Sequence, residues 1–277
     1  MTPFELKTII GKQLAAAGVE TPEVDAARIV SDVSGMSELE LFFQKDQALA
    51  PDRVEKILDF AQRRAKREPL QHILRKAYFR NVVLYVDSRV LVPRPETEIL
   101  VDYLLDLAPR NGKVLDLGTG SGAIVLSAAD ERDDLDLTAA DISLSALDVA
   151  RKNAADLKLA ERVRFVQSDL WGNLAGEKFD FVAANLPYVS EEDYQTLSPE
   201  VKAYDPVLAL TAPDSGFLLI EKTAIQLKEH LLPGGKAMFE LAPEQAERLS
   251  ALLRDHGFNT RIVNDLAGRE RFVLAEL

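Results

Sequence analysis

A glycine-rich turn is the most informative part of this chain, with the sequence Asp116-Leu117-Gly118-Thr119-Gly120-Ser121-Gly122. The apolar residues Val114 and Leu115 before it predict a buried strand, and a helix is predicted from about Ser121. Glycine lets the backbone turn tightly, and it lets a ligand approach peptide N–H groups without a Cβ in the way. We therefore expect a ligand-binding turn between a strand and a helix, with a plain glycine turn as the alternative.

The spacing of these glycines argues against a phosphate-binding loop. The pattern G-x-G-x-G after an acid differs from the dinucleotide fingerprint G-x-G-x-x-G, and the Lys-Ser/Thr pair of a P-loop is absent. The carboxylate of Asp116 would instead suit a cationic or amino-bearing ligand close to the turn.

Strand and helix patterns alternate through the rest of the chain. Apolar runs that suit buried strands lie at 114–117, 137–140, 163–166 and 179–184, and later strands fit near 235–241, 258–263 and 271–276. Such alternation predicts a parallel sheet with helices on both faces and with ligands at the carboxyl ends of its strands. The predicted fold class is therefore α/β, with seven strands.

The first seventy or so residues predict a small helical domain. Helices are expected at about 3–17, 22–34, 37–43 and 51–66, because capping residues and prolines stand at their starts, as in Thr2-Pro3. We interpret a basic run mainly as a solvated helix face, with a partner-docking surface as the alternative; the run consists of Arg63, Arg64, Lys66 and Arg67.

A segment of alternating apolar and aromatic residues follows the helical region. Its pattern from Ala77 to Val92 predicts a β-hairpin that links two domains. Two prolines then restrict the backbone in Pro93-Arg94-Pro95-Glu96-Thr97-Glu98, and a helix is expected to begin near Glu96.

Composition and charge restrict the class of protein. The chain has 277 residues, of which 47% are hydrophobic and 28% charged, as in ordinary globular proteins. It has no cysteine, no apolar run long enough for a membrane span and no basic-then-apolar leader at its start, so we expect a cytoplasmic protein. The net charge of −12 disfavours nucleic acid as a partner.

Two acids follow the next two strands of the predicted sheet. Asp141 ends the strand after the glycine-rich turn, where a carboxylate can accept hydrogen bonds from the vicinal hydroxyls of a ribose. Capping of the helix that starts near Ser143 is the alternative role for this acid. Asp169, in the sequence Gln167-Ser168-Asp169-Leu170, is expected to meet the adenine end of the same nucleoside.

A fourth motif, Asn185-Leu186-Pro187-Tyr188, follows the strand that ends at Ala184. An asparagine oxygen and the next backbone carbonyl can together accept both N–H bonds of a planar NH₂ group, and Tyr188 can stack on that plane. Two fixed acceptors would orient such a nitrogen and stabilise the positive charge that develops on it during attack. An ordinary Asn-x-Pro turn that closes a strand is the alternative.

These motifs, in this order on successive strands, resemble the seven-stranded S-adenosylmethionine-dependent methyltransferases that modify planar NH₂ groups. Further segments look like the release factor glutamine methyltransferase family, also called HemK; they lie at 67–74, 90–98, 114–123, 205–210, 232–235 and 265–271. The most specific of these matches is Pro93-Arg94-Pro95-Glu96-Thr97-Glu98.

The resemblance implies a fold, an activity and a partner. The fold is a seven-stranded, mostly parallel, Rossmann-like methyltransferase sheet at 96–277, preceded by a helical substrate-docking domain at 1–75 and a linking β-hairpin at 76–95. The family methylates the side-chain amide nitrogen of the glutamine in the Gly-Gly-Gln motif of class I peptide chain release factors, with S-adenosylmethionine as donor. These release factors are the implied partners, without direct nucleic-acid or membrane contact, and we expect a monomer.

The motifs and the resemblance together assign the site residues, and we expect no metal. The cofactor would be held by Asp116, Gly118, Thr119, Gly120, Ser121, Gly122, Asp141, Asp169, Leu170 and Asn185. The catalytic clamp on the substrate amide would be formed by Asn185, Leu186, Pro187 and Tyr188, with Arg94 and Glu96 contacting the substrate at the mouth of the site. We interpret the three histidines as surface or packing residues: His72, His230 and His256.

The chain departs from the family pattern at three places. Leu186 stands where the family usually has proline, a form also seen in rRNA adenine dimethyltransferases. The acceptor there is a backbone carbonyl, so the clamp is expected to survive, although Leu186 bears on pocket shape and substrate identity. In addition, Asp205 replaces the usual glutamate, and Ala242-Pro243 replaces a glycine-containing turn.

Two alternative functions remain open at this point. One is methylation of another planar NH₂ group, either adenine or a glutamine of a ribosomal protein. The other is a non-catalytic scaffold that binds the cofactor and a translation factor.

Overall fold

The computed structural model describes residues 1–43 and 47–277, and these residues form two compact units. The helical unit consists of Met1–Lys76 together with Ser198–Tyr204. The sheet unit consists of Ala77–Leu197 and Asp205–Leu277. A short stretch after the Asn185–Tyr188 motif therefore belongs to the helical unit.

The helices and strands have the following bounds. The α-helices are α1 (Pro3–Ala16), α2 (Pro22–Ser34), α3 (Glu38–Phe43), α4 (Pro51–Ala65), α5 (Leu70–Leu74), α6 (Glu98–Leu107), α7 (Ala123–Glu131), α8 (Leu144–Asp156), α9 (Glu191–Tyr194), α10 (Pro199–Tyr204), α11 (Leu218–Gln226) and α12 (Ala246–Asp255). The β-strands are β1 (Ala77–Phe79), β2 (Val82–Leu84), β3 (Lys113–Leu117), β4 (Asp136–Asp141), β5 (Val163–Gln167), β6 (Phe179–Asn185), β7 (Leu231–Glu240), β8 (Asn259–Asn264) and β9 (Glu270–Glu276).

Capping and apolar periodicity build the helical unit. The Thr2 hydroxyl accepts a hydrogen bond from the Glu5 backbone N–H at 3.2 Å, and the Glu5 carboxylate accepts one from the Thr2 N–H at 2.9 Å. This reciprocal pair is the capping box that the sequence predicts for α1. Leu6, Ile10 and Leu14 recur every four residues along α1, and they are fully buried in the core of the unit.

The interpretation of the basic run as a solvated helix face is wrong for two of its four residues. The Arg64 side chain is only 9% exposed, and it donates to Asp25 at 2.7 Å and to Glu200 at 3.0 Å. Arg67 donates to both carboxylate oxygens of Glu200, at 2.6 and 2.8 Å. Since Glu200 lies in α10, these arginines hold the 198–204 stretch within the helical unit.

The sheet unit contains, among the described residues, a seven-stranded sheet with the order β5-β4-β3-β6-β7-β9-β8. Neighbouring strands are parallel except where β9 pairs with β7 and β8. Val114 faces a core that includes Leu100 and Val125, whereas Leu115 faces a core that includes Ile220 and Leu249. Helices therefore cover both faces, and the predicted α/β fold with seven strands is confirmed.

The hairpin before the sheet is shorter than the pattern over 77–92 predicts. Strands β1 and β2 pair over only three residues each, from Ala77↔Leu84 to Phe79↔Val82. The ladder stops because the next backbone groups bond elsewhere: the Tyr85 N–H donates to Asn153 Oδ1 at 2.7 Å, and the Tyr85 carbonyl accepts from Asn153 Nδ2 at 3.0 Å. The helix expected near Glu96 begins at Glu98, after a 3₁₀ turn at Pro95–Thr97.

Within residues 1–43 and 47–277, no helix combines the length and the apolar character that crossing a bilayer requires.

Candidate active site

The carboxyl ends of four neighbouring strands bring the sequence motifs together. Leu117, which ends β3, pairs with Ala140 of β4 on one side and with Ala184 of β6 on the other. The glycine-rich turn, Asp141 and Asn185 follow these three positions directly. The sheet therefore places them along one edge, which is where open parallel sheets bind ligands.

The glycine-rich turn has a backbone that side chains would obstruct. Gly118, Gly120 and Gly122 have φ angles of 80°, 55° and 84°, in the left-handed region that favours glycine. A Cβ on Gly118 would lie 3.0 Å from Leu186 Cδ2, and one on Gly122 would lie 2.9 Å from Leu126 Cδ1. At Gly120 nothing lies within 4 Å of that position, so this part of the turn faces open space.

Asp116 braces the turn from inside the protein. It is fully buried, and its Oδ2 accepts hydrogen bonds from the Thr119 hydroxyl at 2.6 Å and from the Val125 N–H at 3.2 Å. Its Oδ1 is buried and has no hydrogen-bond partner among the residues that the structure describes. Burial raises the pKa of the Asp116 carboxyl to about 7.

Asp141 contacts both the glycine-rich turn and the start of α8. Its Oδ2 accepts from the Gly120 N–H and its Oδ1 from the Ser143 N–H, each at 2.9 Å. The residue that caps α8 is Ser143, whose hydroxyl accepts from the Ala146 N–H. A carboxylate has about four acceptor sites, so Asp141 retains capacity for further donors such as ribose hydroxyls. Burial raises its pKa above the ordinary value.

Asp169 and Leu170 follow β5, whose last residue, Gln167, pairs with Asp141. Asp169 is exposed there, and the turn that carries it is tied to β4 because the Ser168 N–H donates to the Asp141 carbonyl at 2.9 Å. Leu170 has a φ of 47°, an uncommon value for a residue with a side chain, and its carbonyl accepts from the Ser168 hydroxyl at 2.7 Å. Their contact with a nucleoside remains a prediction.

Asn185 ends β6, and its side-chain amide is hydrogen-bonded to a residue distant in sequence. Its Nδ2 donates to the Thr97 hydroxyl oxygen at 3.3 Å, which leaves Oδ1 available as an acceptor. The next side chain, Leu186, is buried against Gly118. Leucine at this position therefore packs the Asn185–Tyr188 motif against the glycine-rich turn.

Tyr188 is held by contacts to its backbone. Its carbonyl accepts from Gln245 Nε2 at 3.0 Å, and it lies so close to Gly216 that a Cβ there would be 1.9 Å from the Tyr188 oxygen. Burial, together with the nearby Glu240, raises the pKa of the Tyr188 phenol to about 12. The ring is therefore neutral at physiological pH.

Arg94 and Glu96 both make ion pairs within the sheet unit. Arg94 Nη2 lies 3.5 Å from Asp205 Oδ2, and Glu96 Oε1 accepts from Arg269 Nη2 at 3.3 Å. Burial raises the pKa of Asp205 to about 6, although Arg94 opposes that rise. Substrate contact by Arg94 and Glu96 remains a prediction.

Sequence analysis did not single out two buried residues beside Asn185, which are Thr97 and Glu240. Thr97 lies within the proline-rich motif and is buried next to Asn185. Glu240 is the last residue of β7, it pairs with Asn185 across the sheet, and it is only 2% exposed. Its signal was present in the sequence, because an acid directly after the apolar Met238 and Phe239 is a strand-end acid like Asp141.

Comparison with known proteins gives matches over nearly the whole chain. Residues 5–74 match the model of the PrmC N-terminal domain, and residues 95–200 match that of the methyltransferase small domain. A release factor glutamine methyltransferase of Caulobacter vibrioides is 36% identical over 277 residues, covering 99% of this chain and 96% of that protein. Another, of Deinococcus radiodurans, is 38% identical over 98% of this chain and 97% of that protein.

A solved structure shares the fold of the sheet unit. The crystal structure of a methyltransferase from Pyrococcus furiosus has a TM-score of 0.53 at 19% identity, over 70% of this chain and 87% of that one. The fold and the matched domains define a Rossmann-like, S-adenosylmethionine-dependent methyltransferase. More narrowly, the chain belongs to the release factor glutamine methyltransferase family.

The residues at the sheet edge fit this cofactor. S-adenosylmethionine carries an amino group, a sulfonium centre and a ribose with two vicinal hydroxyls. Asp116 offers a buried oxygen without a partner among the described residues, Gly120 leaves open space beside the turn, and Asp141 has acceptor capacity left.

Proposed function

We propose that this protein transfers a methyl group from S-adenosylmethionine to the side-chain amide nitrogen of the glutamine in the Gly-Gly-Gln motif of class I peptide chain release factors. The observation that carries the proposal is the position of Asn185. It ends β6 directly beside the glycine-rich turn, with Nδ2 bonded to Thr97 and Oδ1 left as an acceptor. Family membership supports the same activity.

The chemical task is to make a poor nucleophile react. An amide nitrogen is weakly nucleophilic because its lone pair is delocalised into the carbonyl. When bound, the cofactor would supply an electrophilic methyl group on its sulfonium, and the methyl–sulfur bond would break as the methyl–nitrogen bond forms, so that S-adenosylhomocysteine leaves. Asn185 Oδ1 and the Leu186 carbonyl accept the two amide N–H bonds, hold the nitrogen in line and stabilise the positive charge that develops on it.

The neighbouring residues position the cofactor and the substrate. We assign the ribose hydroxyls to Asp141 and the amino acid portion of the cofactor to the turn from Asp116 to Gly122. The neutral ring of Tyr188 stacks on the substrate amide. The proton departs after methyl transfer, when the nitrogen has become acidic, so this route requires no strong base.

The proposal also includes the location of the protein, its oligomeric state and its partners. We place the protein in the cytoplasm, as a monomer that recognises a release factor without direct contact to nucleic acid. A net charge of −12 supports the last point, because it repels phosphate backbones on average.

Methyl transfer to a purified substrate tests the proposal. The protein is incubated with a class I release factor and S-adenosylmethionine that carries a labelled methyl group, and tryptic peptides are analysed by mass spectrometry. We expect one labelled methyl on the glutamine of the Gly-Gly-Gln peptide, and none when that glutamine is replaced by glutamate. Parallel incubations contain ribosomal protein or RNA instead, and label that appears only on those substrates, or on no substrate, would contradict the proposal.

A variant tests the assignment of Asn185. Asn185→Ala removes an acceptor for the reacting nitrogen, so we expect kcat to fall by roughly a hundredfold or more while cofactor affinity stays nearly unchanged. Steady-state kinetics and calorimetry measure the two quantities. The matched control is Asn259→Ala, at an exposed position that starts β8, and it should retain the rate.

A further inference from the structure

We propose that Thr97 and Glu240 are positioning residues that fix the orientation of the Asn185 amide, so that its oxygen rather than its NH₂ group faces the substrate. The inference rests on the proposed function, since it concerns how the same clamp is kept in its working state. It assigns a role to two residues outside the Asn185–Tyr188 motif.

The three residues come from separate parts of the sheet unit. Asn185 and Glu240 are paired across β6 and β7 as the last residues of those strands. Thr97 ends the 3₁₀ turn before α6 and is buried, and its hydroxyl oxygen accepts from Asn185 Nδ2 at 3.3 Å. Glu240 is the cross-strand neighbour of Asn185, and the Thr97 and Asn185 side chains each lower the pKa of its carboxyl.

The direction of these hydrogen bonds explains how one amide orientation is selected. The two orientations of an asparagine amide have nearly the same shape, so packing does not distinguish them. A threonine hydroxyl can donate or accept, so Thr97 alone does not distinguish them either. An ionised Glu240 only accepts, and the Thr97 side chain lowers the pKa of its carboxyl as a donor does, so we assign the hydroxyl proton of Thr97 to Glu240. The Thr97 oxygen is then an acceptor for Asn185 Nδ2, and Oδ1 is left for the substrate.

The opposite orientation would prevent binding of the substrate amide. It would place the NH₂ group of Asn185 against the NH₂ group of the glutamine, with two donors facing each other and no acceptor between them. A neutral partner at position 240 permits this state, because a protonated carboxyl or a glutamine can donate to Thr97, which then donates to Asn185 Oδ1.

The surroundings of Glu240 make its charge sensitive to pH. Its Oε2 is buried and has no hydrogen-bond partner within residues 1–43 and 47–277. Burial raises the pKa of Glu240 to about 7, against the hydrogen bonds with Thr97 and Asn185. The charged and titratable groups that face it are Arg271 of β9, which lowers this pKa, Glu96 of the 3₁₀ turn, which raises it, and Tyr188 after β6.

Kinetics at several pH values test the inference. We expect wild-type kcat to rise as pH increases through about 7, where Glu240 becomes ionised. Glu240→Gln and Thr97→Val should each lower kcat by roughly tenfold or more and abolish this rise, with cofactor affinity unchanged by calorimetry. Because both changes act on one chain of hydrogen bonds, the double variant should lose no more than the larger single loss.

Two further variants separate positioning from a structural role. Thr97→Ser keeps the hydroxyl, so it should recover most of the rate lost in Thr97→Val. Thr223→Val removes a buried threonine hydroxyl from α11, where it donates to the Leu219 carbonyl at 2.9 Å. The Thr223→Val variant should therefore show the same dependence of kcat on pH as the wild type.

A measurement without substrate distinguishes this inference from the proposed function. The Asn185 side-chain NH₂ signals, identified by their loss in Asn185→Ala, should shift with pH with a midpoint near 7 in wild type and not in Glu240→Gln. If they do so while no release factor is methylated, the proposed function fails and the positioning role stands. If Glu240→Gln keeps the wild-type pH–rate profile and the signals do not titrate, the inference is overturned.

Discussion

At the scale of single residues, the site is defined by the acceptor atoms that internal hydrogen bonds leave free. Asp141 already accepts one N–H from the glycine-rich turn and one from Ser143, the residue that caps α8. The NH₂ group of Asn185 donates a hydrogen bond to Thr97. In both residues the side-chain oxygens can still accept hydrogen bonds. These acceptors match the donors of a ligand with ribose hydroxyls and of a substrate with an NH₂ group.

Asp141→Asn should weaken cofactor binding. An amide has one acceptor oxygen, so it cannot serve the Gly120 and Ser143 N–H groups and still accept charge-assisted hydrogen bonds from hydroxyls. Such bonds contribute about 1.5–3 kcal/mol, so we expect the Kd for S-adenosylmethionine to rise roughly tenfold or more. Calorimetry measures this affinity.

Asp136→Asn is the control for that change. Asp136 is exposed at the opposite end of the same strand, so removing its charge should leave the Kd unchanged. An unchanged Kd in Asp141→Asn as well would return Asp141 to a purely structural role.

Sequence patterns reveal site residues that directly follow a strand, but not those that meet through the register of the sheet. Asp141 and Asn185 were predictable because each ends an apolar run. The contact of Asn185 with Thr97 joins positions 88 residues apart in the chain. The position of Glu240 beside Asn185 depends on which strand is the neighbour of β6 in the sheet. Neither relation can be read from local periodicity.

At the scale of elements, the turn after β6 is held by a backbone approach that requires glycine. Gly216 has a φ of 79°, and its α-carbon faces the Tyr188 carbonyl. The Val189 N–H donates to the Leu210 carbonyl, and the Ala212 N–H donates to the Val189 carbonyl, at 2.9 and 3.1 Å. These bonds tie the segment after the clamp to the segment before α11.

Gly216→Ala should displace the clamp. The added Cβ would lie 1.9 Å from the Tyr188 oxygen, so the backbone must move, in addition to the cost of a left-handed conformation. We expect a loss of stability of roughly 1–3 kcal/mol and a lower kcat, measured by denaturant unfolding and by methyl transfer.

Gly176→Ala isolates the cost of the backbone conformation. Gly176 has a nearly identical φ of 77°, but nothing lies within 4 Å of the position of its Cβ. It should lose stability without loss of kcat. Equal kcat in both variants would show that the Gly216 contact does not position Tyr188.

The spacing of apolar residues was enough to predict which segments are strands and which are helices. It was not enough to predict where some of these elements end. The hairpin is shorter than predicted because Asn153, a residue of α8, forms hydrogen bonds with the backbone N–H and carbonyl of Tyr85. The same Nδ2 donates to the Ser121 carbonyl at 2.9 Å, so one side chain supports both the hairpin exit and the glycine-rich turn. A tertiary contact of this kind has no local sequence signal.

At the scale of the whole molecule, Glu200 incorporates a distant piece of chain into the helical unit. Burial raises the pKa of Glu200, but hydrogen bonds from Arg67 and Arg64 outweigh it, so the pKa lies below its ordinary value. The ionised Glu200 carboxylate therefore contributes its full stabilisation of the helical unit at pH values above the ordinary pKa of glutamate. This contribution is lost as pH falls through the lowered pKa of Glu200. The Tyr204 hydroxyl adds a hydrogen bond to the Lys66 carbonyl at 3.1 Å.

Glu200→Gln should loosen the 198–204 stretch. It leaves the two arginines without a charged partner in α10, and hydrogen bonds to charged groups contribute about 1.5–3 kcal/mol. We expect faster amide hydrogen exchange in this stretch, with less change in the sheet unit. Glu191→Gln makes the same change of charge at an exposed position of α9, and it should have no such effect.

The membership of Ser198–Tyr204 in the helical unit limits how the protein can be recombined. The chain passes between the units after Lys76, after Leu197 and after Tyr204. A chimera that exchanges only the N-terminal 76 residues with those of a relative would give Glu200 foreign partners in place of Arg64 and Arg67. Exchanging the helical unit between family members therefore calls for moving these seven residues along with the N-terminal helices.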